Sequence, residues 1–302
     1  MDNRYMFDKV VLILRESNDD IEEYVYNCGQ EGLAVEKYIY GGIPGEEADA
    51  ETGGKKLPFD VNVQGEGDAG RLLCITDNQT VAAGAAAAGV AVLGYHGHGE
   101  GQDFLSVRYV VESLSQVEEE YLNMVYMRAH GMPLTIAVTQ RTVIREMTID
   151  DLPAMYELYA DAAVAEWVEP LYDYDRELEF TREYIDKMYG FYGYGLWLVF
   201  DRAAGGLIGR VGISRRCIDG EECCELGYII KSSRQRQGIG MEVSGAVLNY
   251  AVEQLGMDRM WLCAASDNTA SLALAHKLGF ELYGDCMLDG KRLYIYNKSL
   301  RQ

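Results

Sequence analysis

Gln235-Arg236-Gln237-Gly238-Ile239-Gly240 sets two glycines two residues apart in a short basic loop. The loop follows the apolar run Cys224–Ile230, which reads as a buried strand. It opens the stretch from Met241 to Leu255, where Val243, Ala246, Val247, Tyr250, Ala251 and Leu255 recur at close to a helical period. The order is strand, loop, helix. Gly238 and Gly240 let the backbone approach a ligand closely and take conformations that other residues avoid. The first N–H groups of a helix have no partner inside it and carry partial positive charge. Consecutive N–H groups in such a loop form a concavity suited to phosphate. Arg234 and Arg236 add full charges, so the physical reading is a pyrophosphate site. No Gly-Lys-Ser/Thr follows, so it is not a Walker loop, and the glycine spacing differs from the dinucleotide fingerprint.

Gln235-x-x-Gly238-x-Gly240 resembles the Gln/Arg-x-x-Gly-x-Gly/Ala signature of the GNAT acetyltransferases, which cradles the pyrophosphate of acetyl-coenzyme A. Asn268-x-x-Ser271, followed by Lys277-Leu278-Gly279-Phe280, resembles the family's strand-to-helix segment near the coenzyme and its closing turn. Glu225-Leu226-Gly227-Tyr228 is similar to the central strand of the branch that includes ribosomal-protein N-terminal acetyltransferases. The resemblance covers residues 141 to 302. It implies a mixed-sheet fold, acetyl-CoA as co-substrate and no metal. At the coenzyme it implies Ile229, Ile230, Gln235, Arg236, Gln237, Gly238, Ile239, Gly240, Met241, Asn268 and Ser271.

An amine is mostly protonated at pH 7 and attacks a thioester only after losing a proton. Glu225 is the candidate base. The alternative for it is a strand-end carboxylate paired with a nearby arginine such as Arg210. In many members a tyrosine on the helix after the asparagine protonates the thiolate. Ala275 stands at that position, and Tyr228 is the candidate replacement. The usual strand acid before Asn268 is also absent, with Cys263 and Ala264 there instead. The loop between the first two helices of the pattern lines the acceptor side and brings Trp167, Glu169, Tyr172 and Tyr174. Aromatics around a few acids suit a cationic amine, and ordinary packing over the core suits them equally. The implied activity is N-acetylation of a primary amine, either a small amine or a peptide or protein N-terminus. The alternative is an acetyl-CoA-binding sensor with little turnover.

The supporting elements in residues 139–302 follow in order. Asp150-Asp151-Leu152-Pro153 starts a helix through Tyr159, with proline in the first turn. Arg176 to Tyr189 is a second helix. Strands follow at Trp197–Phe200, Leu207–Ser214 and Cys223–Ile230, the last two joined by a turn at Asp219-Gly220. Beyond the loop and its helix come a strand at Trp261–Ala265, a helix at Thr269–Leu278 and a closing hairpin around Asp289-Gly290.

Residues 1–138 alternate strand and helix. Val10–Leu14, Leu33–Tyr40, Leu72–Thr76, Val90–Tyr95 and Tyr109–Val111 read as strands. Helices are expected after Ser17, over Gln79–Ala88 and over Val117–Ala129, with a long surface loop over Gly41–Gly70. The fold class is therefore α/β: an N-terminal Rossmann-like three-layer domain (1–138), then a GNAT-like mixed-sheet α+β domain (139–302). Leu73–Asp77, the alanine-rich helix, Val90–Gly94 and Tyr109–Leu114 weakly resemble the late strands of haloacid-dehalogenase-like phosphatases. That family's aspartate nucleophile is missing, because Val10–Leu14 runs into Arg15-Glu16-Ser17. A non-catalytic accessory domain is the expectation. His96-Gly97-His98 reads as a glycine-rich turn.

The chain has 302 residues and a net charge of −21, concentrated in the first half, which argues against nucleic acid as a partner and suits cationic substrates. The seven cysteines show no zinc-type spacing and read as reduced thiols of a cytoplasmic protein. No apolar run approaches the roughly 20 residues a membrane helix needs, so no membrane partner is expected. A homodimer is left open.

Overall fold

The computed structural model describes residues 5–40, 69–97, 104–105, 107–115, 117–288 and 290–301. The chain divides into two compact units, Met1–Met132 and Pro133–Gln302.

In the first unit the order is β1 (Lys9–Leu14), α1 (Asp19–Gln30), β2 (Ala34–Ile39), β3 (Leu72–Thr76), α2 (Gln79–Ala87), β4 (Ala91–Tyr95), β5 (Val110–Val111) and α3 (Glu119–Ala129). The five strands form one parallel sheet in the order β2-β1-β3-β4-β5. Strand side chains alternate between faces. Val10, Leu12, Leu14, Leu73, Ile75 and Leu93 meet Ile21 and Tyr24 of α1 and Leu122 and Val125 of α3. Val11, Ile13, Cys74 and Val92 meet Val81, Ala82 and Ala85 of α2. Helices thus cover both faces, which explains why β1, β3 and β4 read as unbroken apolar runs. Asn18 and Asn78 cap α1 and α2, accepting from Ile21 N at 3.0 Å and from Val81 N at 3.0 Å. The expected surface loop at Gly41–Gly70 lies almost entirely outside the described residues, as does His98.

The second unit runs β6 (Thr135–Val138), β7 (Thr142–Arg145), α4 (Leu152–Tyr159), α5 (Ala162–Ala165), α6 (Tyr174–Tyr184) and a π-helical segment (Ile185–Tyr192). It continues with β8 (Leu196–Asp201), β9 (Leu207–Ile218), β10 (Glu221–Ile230), α7 (Ile239–Glu253), β11 (Arg259–Ala265), α8 (Thr269–Lys277), β12 (Glu281–Leu288) and β13 (Lys291–Ser299). The eight strands lie in the order β12-β13-β11-β10-β9-β8-β7-β6. All neighbours are antiparallel except β10 and β11. Asp219 and Gly220 both have positive φ (52° and 86°) and make the expected tight turn, which sets the β9–β10 register. Trp197 of β8 faces α7, its ring 5.3 Å from that of Tyr250. Its neighbour Leu198 pairs with Arg210, which points to the opposite face and donates to Tyr159 of α4 at 2.9 Å. Among the described residues, no helix is long and apolar enough to cross a membrane.

Two expectations change. The boundary at 138/139 moves before Pro133, because β6 finds its ladder partner in β7. The helix expected over Arg176–Tyr189 stops being α-helical after Tyr184. In the wider π turn, Tyr184 and Tyr189, five residues apart, both reach Leu196. Tyr184 Oη accepts from Leu196 N at 2.7 Å, and Tyr189 Oη donates to Leu196 O at 2.6 Å. Gly195 leaves room for both rings, since a Cβ there would lie 2.8 Å from each.

Candidate active site

The site starts from a defect in the sheet. β10 and β11 are parallel neighbours, yet they share a single residue pair, Glu225 with Trp261. Beyond it the strands part, and the C-terminal end of β10 and the residues just after β11 border a cavity of about 450 Å³. Tyr228, Ile229 and Ile230 line it from β10. Gln235, Arg236, Gly238, Gly240 and Met241 line it from the following loop and α7. Asn268, Ser271, Leu274 and Lys277 line it from α8, and Val164, Glu166 and Trp167 from α5 and just beyond. The sequence-predicted residues Gln237 and Ile239 are not among the lining residues; Ile239 is buried in the core instead.

The loop has the backbone that an anion needs. Arg236 (φ 58°) and Gly238 (φ 80°) are both left-handed and alternate with Gln237, which turns successive N–H groups toward one concavity. The start of α7 adds its unpartnered N–H groups. Side chains brace the loop from outside. Gln235 Nε2 donates to Ile230 O at 2.8 Å, and Gln237 Nε2 to Ser233 O at 2.9 Å. Arg141 Nη1 donates to Gln237 O at 2.7 Å. Arg141 also binds Glu242 in the first turn of α7, where Thr139 Oγ1 donates at 2.6 Å. Burial pushes the Glu242 carboxyl up, but bonds from Thr139 and Arg141 outweigh it and hold the group below its usual range. Arg234, expected to face the anion, is instead paired with Asp201. Arg236 and Lys277 are the cations that line the cavity.

Tyr228 and Ser271 meet across the cavity, hydroxyl to hydroxyl, at 3.0 Å. Burial raises the Tyr228 phenol above its ordinary pKa, and the Ser271 bond offsets part of this, so the phenol keeps its proton at neutral pH. Ser271 lies one helical turn before the fully buried Ala275. Asn268 caps α8, accepting from Ser271 N at 3.0 Å.

Glu225 is 7 % exposed and is not among the lining residues. Its carboxylate binds Arg216 and accepts from Cys263 N at 3.2 Å. The expected alternative partner, Arg210, sits among Tyr159, Tyr184 and Met147 instead. On the acceptor side Trp167 lines the cavity, and Glu169 and Tyr172 do not. The Tyr172 ring is covered by the Arg176 guanidinium at 3.8 Å, and Tyr172 N donates to the buried Glu177 at 3.0 Å. Glu166 takes the acidic place expected of Glu169. Lys277 was missed although helical spacing from Ser271 through Leu274 leads to it. Among the described residues no group of three or more His, Cys, Asp and Glu gathers to hold a metal.

This geometry offers an anion cradle, a protonated phenol and a mixed acidic and aromatic wall in one cavity. Residues 141–281 match the model of the acetyltransferase (GNAT) domain. The uncharacterized protein YkkB of Bacillus subtilis (strain 168) is 25 % identical over 168 residues, 54 % of this chain and 95 % of that protein. The uncharacterized N-acetyltransferase YoaA of the same strain is 26 % identical over 156 residues, 49 % of this chain and 84 % of that protein. Among solved structures, the apo form of the ribosomal L7/L12 α-N-protein acetyltransferase RimL aligns with a TM-score of 0.48 at 19 % identity, over 56 % of this chain and 95 % of that one. The second half of this chain carries a GNAT acetyltransferase domain, and the protein is an acyltransferase.

Proposed function

We propose that the second unit transfers an acetyl group from acetyl-CoA to the nitrogen of a primary amine, a small amine or a polypeptide N-terminus. The observation that carries this reading is the concave loop from Arg236 to Gly240 opening onto the gap between β10 and β11. The fit to the coenzyme is good. N–H groups of a left-handed turn and a helix start, with Arg236 beside them, match a pyrophosphate. The β11-facing edge of β10 has no ladder beyond Glu225 and can hold an amide-bearing arm. Acetyl-CoA supplies the acetyl group as an activated thioester.

The chain's own residues then divide the work. Tyr228 holds a proton at Oη, backed by Ser271 Oγ, and we assign it to protonating the departing thiolate, for which Ala275 offers no group. Glu166 and Asp267, the carboxylates lining the cavity, draw a protonated amine toward it, and Trp167 gives its apolar part a surface. The amine gives one proton to solvent before it attacks the thioester carbon, and the second, shed from nitrogen as the C–S bond breaks, restores the Tyr228 phenol. Glu225 keeps its carboxylate on Arg216 and the β11 backbone and is not available as a free base. We further propose that residues 1–132 form a Rossmann-like accessory domain without chemistry of its own. Arg15-Glu16-Ser17, with no aspartate, stand directly after β1, and the aspartate after β3, Asp77, accepts from Arg15 N and Tyr40 Oη at 2.8 Å each. All seven cysteines are free thiols, which suits the cytoplasm.

Calorimetry and thermal shift with acetyl-CoA, on wild type and on Gly238→Glu, test the coenzyme site. Saturation at 100 times the dissociation constant adds about 2.7 kcal/mol to the wild type. The variant, with a side chain forced to positive φ and an added negative charge, gains nothing. Release of free coenzyme thiol across an amine panel then identifies the acceptor. No heat and no shift with wild type at millimolar coenzyme would remove the reading.

A further inference from the structure

The side chain of Glu225 stands at the apex where β10 and β11 part. A parallel pair that stops after one residue leaves backbone groups of both strands without a ladder, inside the protein. At Cys263, two residues along β11 from the last pair, the N–H is taken by Glu225 Oε1 at 3.2 Å. A side chain of β10 thus does what the backbone of β10 does elsewhere in a sheet. It does so at greater reach, so the strands are bonded and yet apart. Glu225 is fixed in turn. Its other oxygen binds Arg216 Nε, from β9. The β9–β10 register sets Arg216 opposite Cys223, diagonal to Glu225 on the same face. The side chains of both residues are largely withdrawn from water, Glu225 at 10 % exposure and Arg216 at 35 %. The groups that face the carboxylate are Arg216, the Cys263 amide and the Cys263 thiol, the last pushed up to about 12 by burial and by Glu225.

We propose that Glu225, held by Arg216, is a positioning residue that keeps β10 and β11 apart and so sets the width of the coenzyme cavity. This rests on the acetyl-CoA reading only for what fills the gap. The gap itself, and the bond that spans it, belong to the protein alone.

The variants Glu225→Gln, Glu225→Ala and Arg216→Met test it in the full chain. Glu225→Ala and Arg216→Met raise the KM for acetyl-CoA by a similar factor, tenfold or more, while kcat stays within about threefold. The shape of the kcat pH profile is unchanged. Glu225→Gln, which keeps one acceptor oxygen for two donors, falls between wild type and Glu225→Ala. A fall in kcat of a hundredfold or more in Glu225→Gln, or loss of its acidic limb, with Arg216→Met near wild type, overturns the proposal in favour of a base. Amide hydrogen exchange without coenzyme gives a second readout. The Cys263 amide exchanges faster in Glu225→Ala than in Glu225→Gln, and faster in both than in wild type. Equal protection in all three overturns the proposal even if the kinetic pattern holds. If Glu225→Ala does not fold, Glu225→Gln and Arg216→Lys carry the same comparison. If wild type binds no acetyl-CoA, the functional reading fails, and the exchange measurement still decides whether Glu225 bonds the split strands.

Discussion

Asp161 accepts two hydrogen bonds from Ser232, from the backbone N at 2.8 Å and from Oγ at 2.7 Å. The same carboxylate caps α5, accepting from Ala163 N at 3.1 Å. One residue therefore fastens the wall that carries Val164, Glu166 and Trp167 to the loop that carries Arg236 and Gly238. The Ser232 hydroxyl and amide hold the Asp161 carboxyl below its ordinary range, so it is ionised at neutral pH. Hydrogen bonds to a charged acceptor are worth roughly 1.5–3 kcal/mol each when shielded, and less where water competes. Asp161→Ala should loosen both walls together. Steady-state kinetics with both substrates varied should show KM rising for acetyl-CoA and for the amine alike, roughly tenfold. A rise confined to the amine would mean that α5 and the loop act independently.

Tyr228→Phe separates proton delivery from binding. The ring remains, so its packing against Gly240 is kept, while the hydroxyl on Ser271 is lost. A thiolate is a good leaving group, so the loss in kcat should be roughly tenfold to a hundredfold, at the low end of general acid catalysis, with KM little changed. The sign of the pH effect follows from the raised phenol. Tyr228 keeps its proton as pH rises through the ordinary tyrosine value near 10 and loses it only above that. Any alkaline fall in activity centred below about pH 10 must come from another group and should persist in Tyr228→Phe. A thioester of a more acidic thiol should narrow the gap between the two proteins.

Gly209 tests the packing beneath the cavity. A Cβ there would lie 2.5 Å from Ile229 O and 2.8 Å from Ile230 Cδ1, two of the residues that line the cavity from β10. Backbone cannot yield as a flexible side chain does. Gly209→Ala should cost about 1–3 kcal/mol of stability by overpacking and weaken acetyl-CoA binding in calorimetry. Equal affinity with unchanged melting would show that β9 and β10 shift apart at no cost.

What could be read from the chain was local. Gly238 and Gly240 announce a special backbone, and Gly238 has the positive φ that glycine favours. Arg236 adopts a similar conformation with no residue-type signal, because Gln235, Gln237 and Arg141 hold the loop from outside. Asp219-Gly220 gave the hairpin, and its register puts Arg216 within diagonal reach of Glu225. The role of Glu225 stayed hidden because it depends on the N–H of Cys263, a strand away, and on where β10 and β11 separate. Trp167 and Glu166 were separable from Glu169 and Tyr172 only by the orientation of α5, which the contact of Asp161 with Ser232 sets. The doubly covered sheet of the first unit was legible because apolar runs too short for helices alternate with capped helical stretches.

Asp151 links the second unit's stability to acid. Its carboxylate receives Arg145 Nη1 at 2.8 Å and Nη2 at 2.7 Å, together with Thr148 N at 2.7 Å. Arg145 in turn stacks over Phe200 at 4.2 Å, so the pair joins β7 to the start of α4 and to β8. Burial alone would raise the Asp151 carboxyl, but the Arg145 and Thr148 bonds outweigh it and lower the group below its ordinary value. A carboxyl lowered in the folded state stabilises the fold fully above its unfolded pKa, near 3.9, and loses that contribution as pH falls through the folded value. Side-chain exposures of 24 % and 11 % place the pair between a surface and a buried bridge. Asp151→Asn should therefore cost about 2 kcal/mol at pH 7, less than the loss of a fully buried partner. Denaturant titrations from pH 7 down to pH 2 should show this difference holding to about pH 4 and then shrinking, as the wild-type carboxyl takes up its proton. A difference that stays constant to pH 2 would mean that the asparagine acts through packing and not through the lost charge.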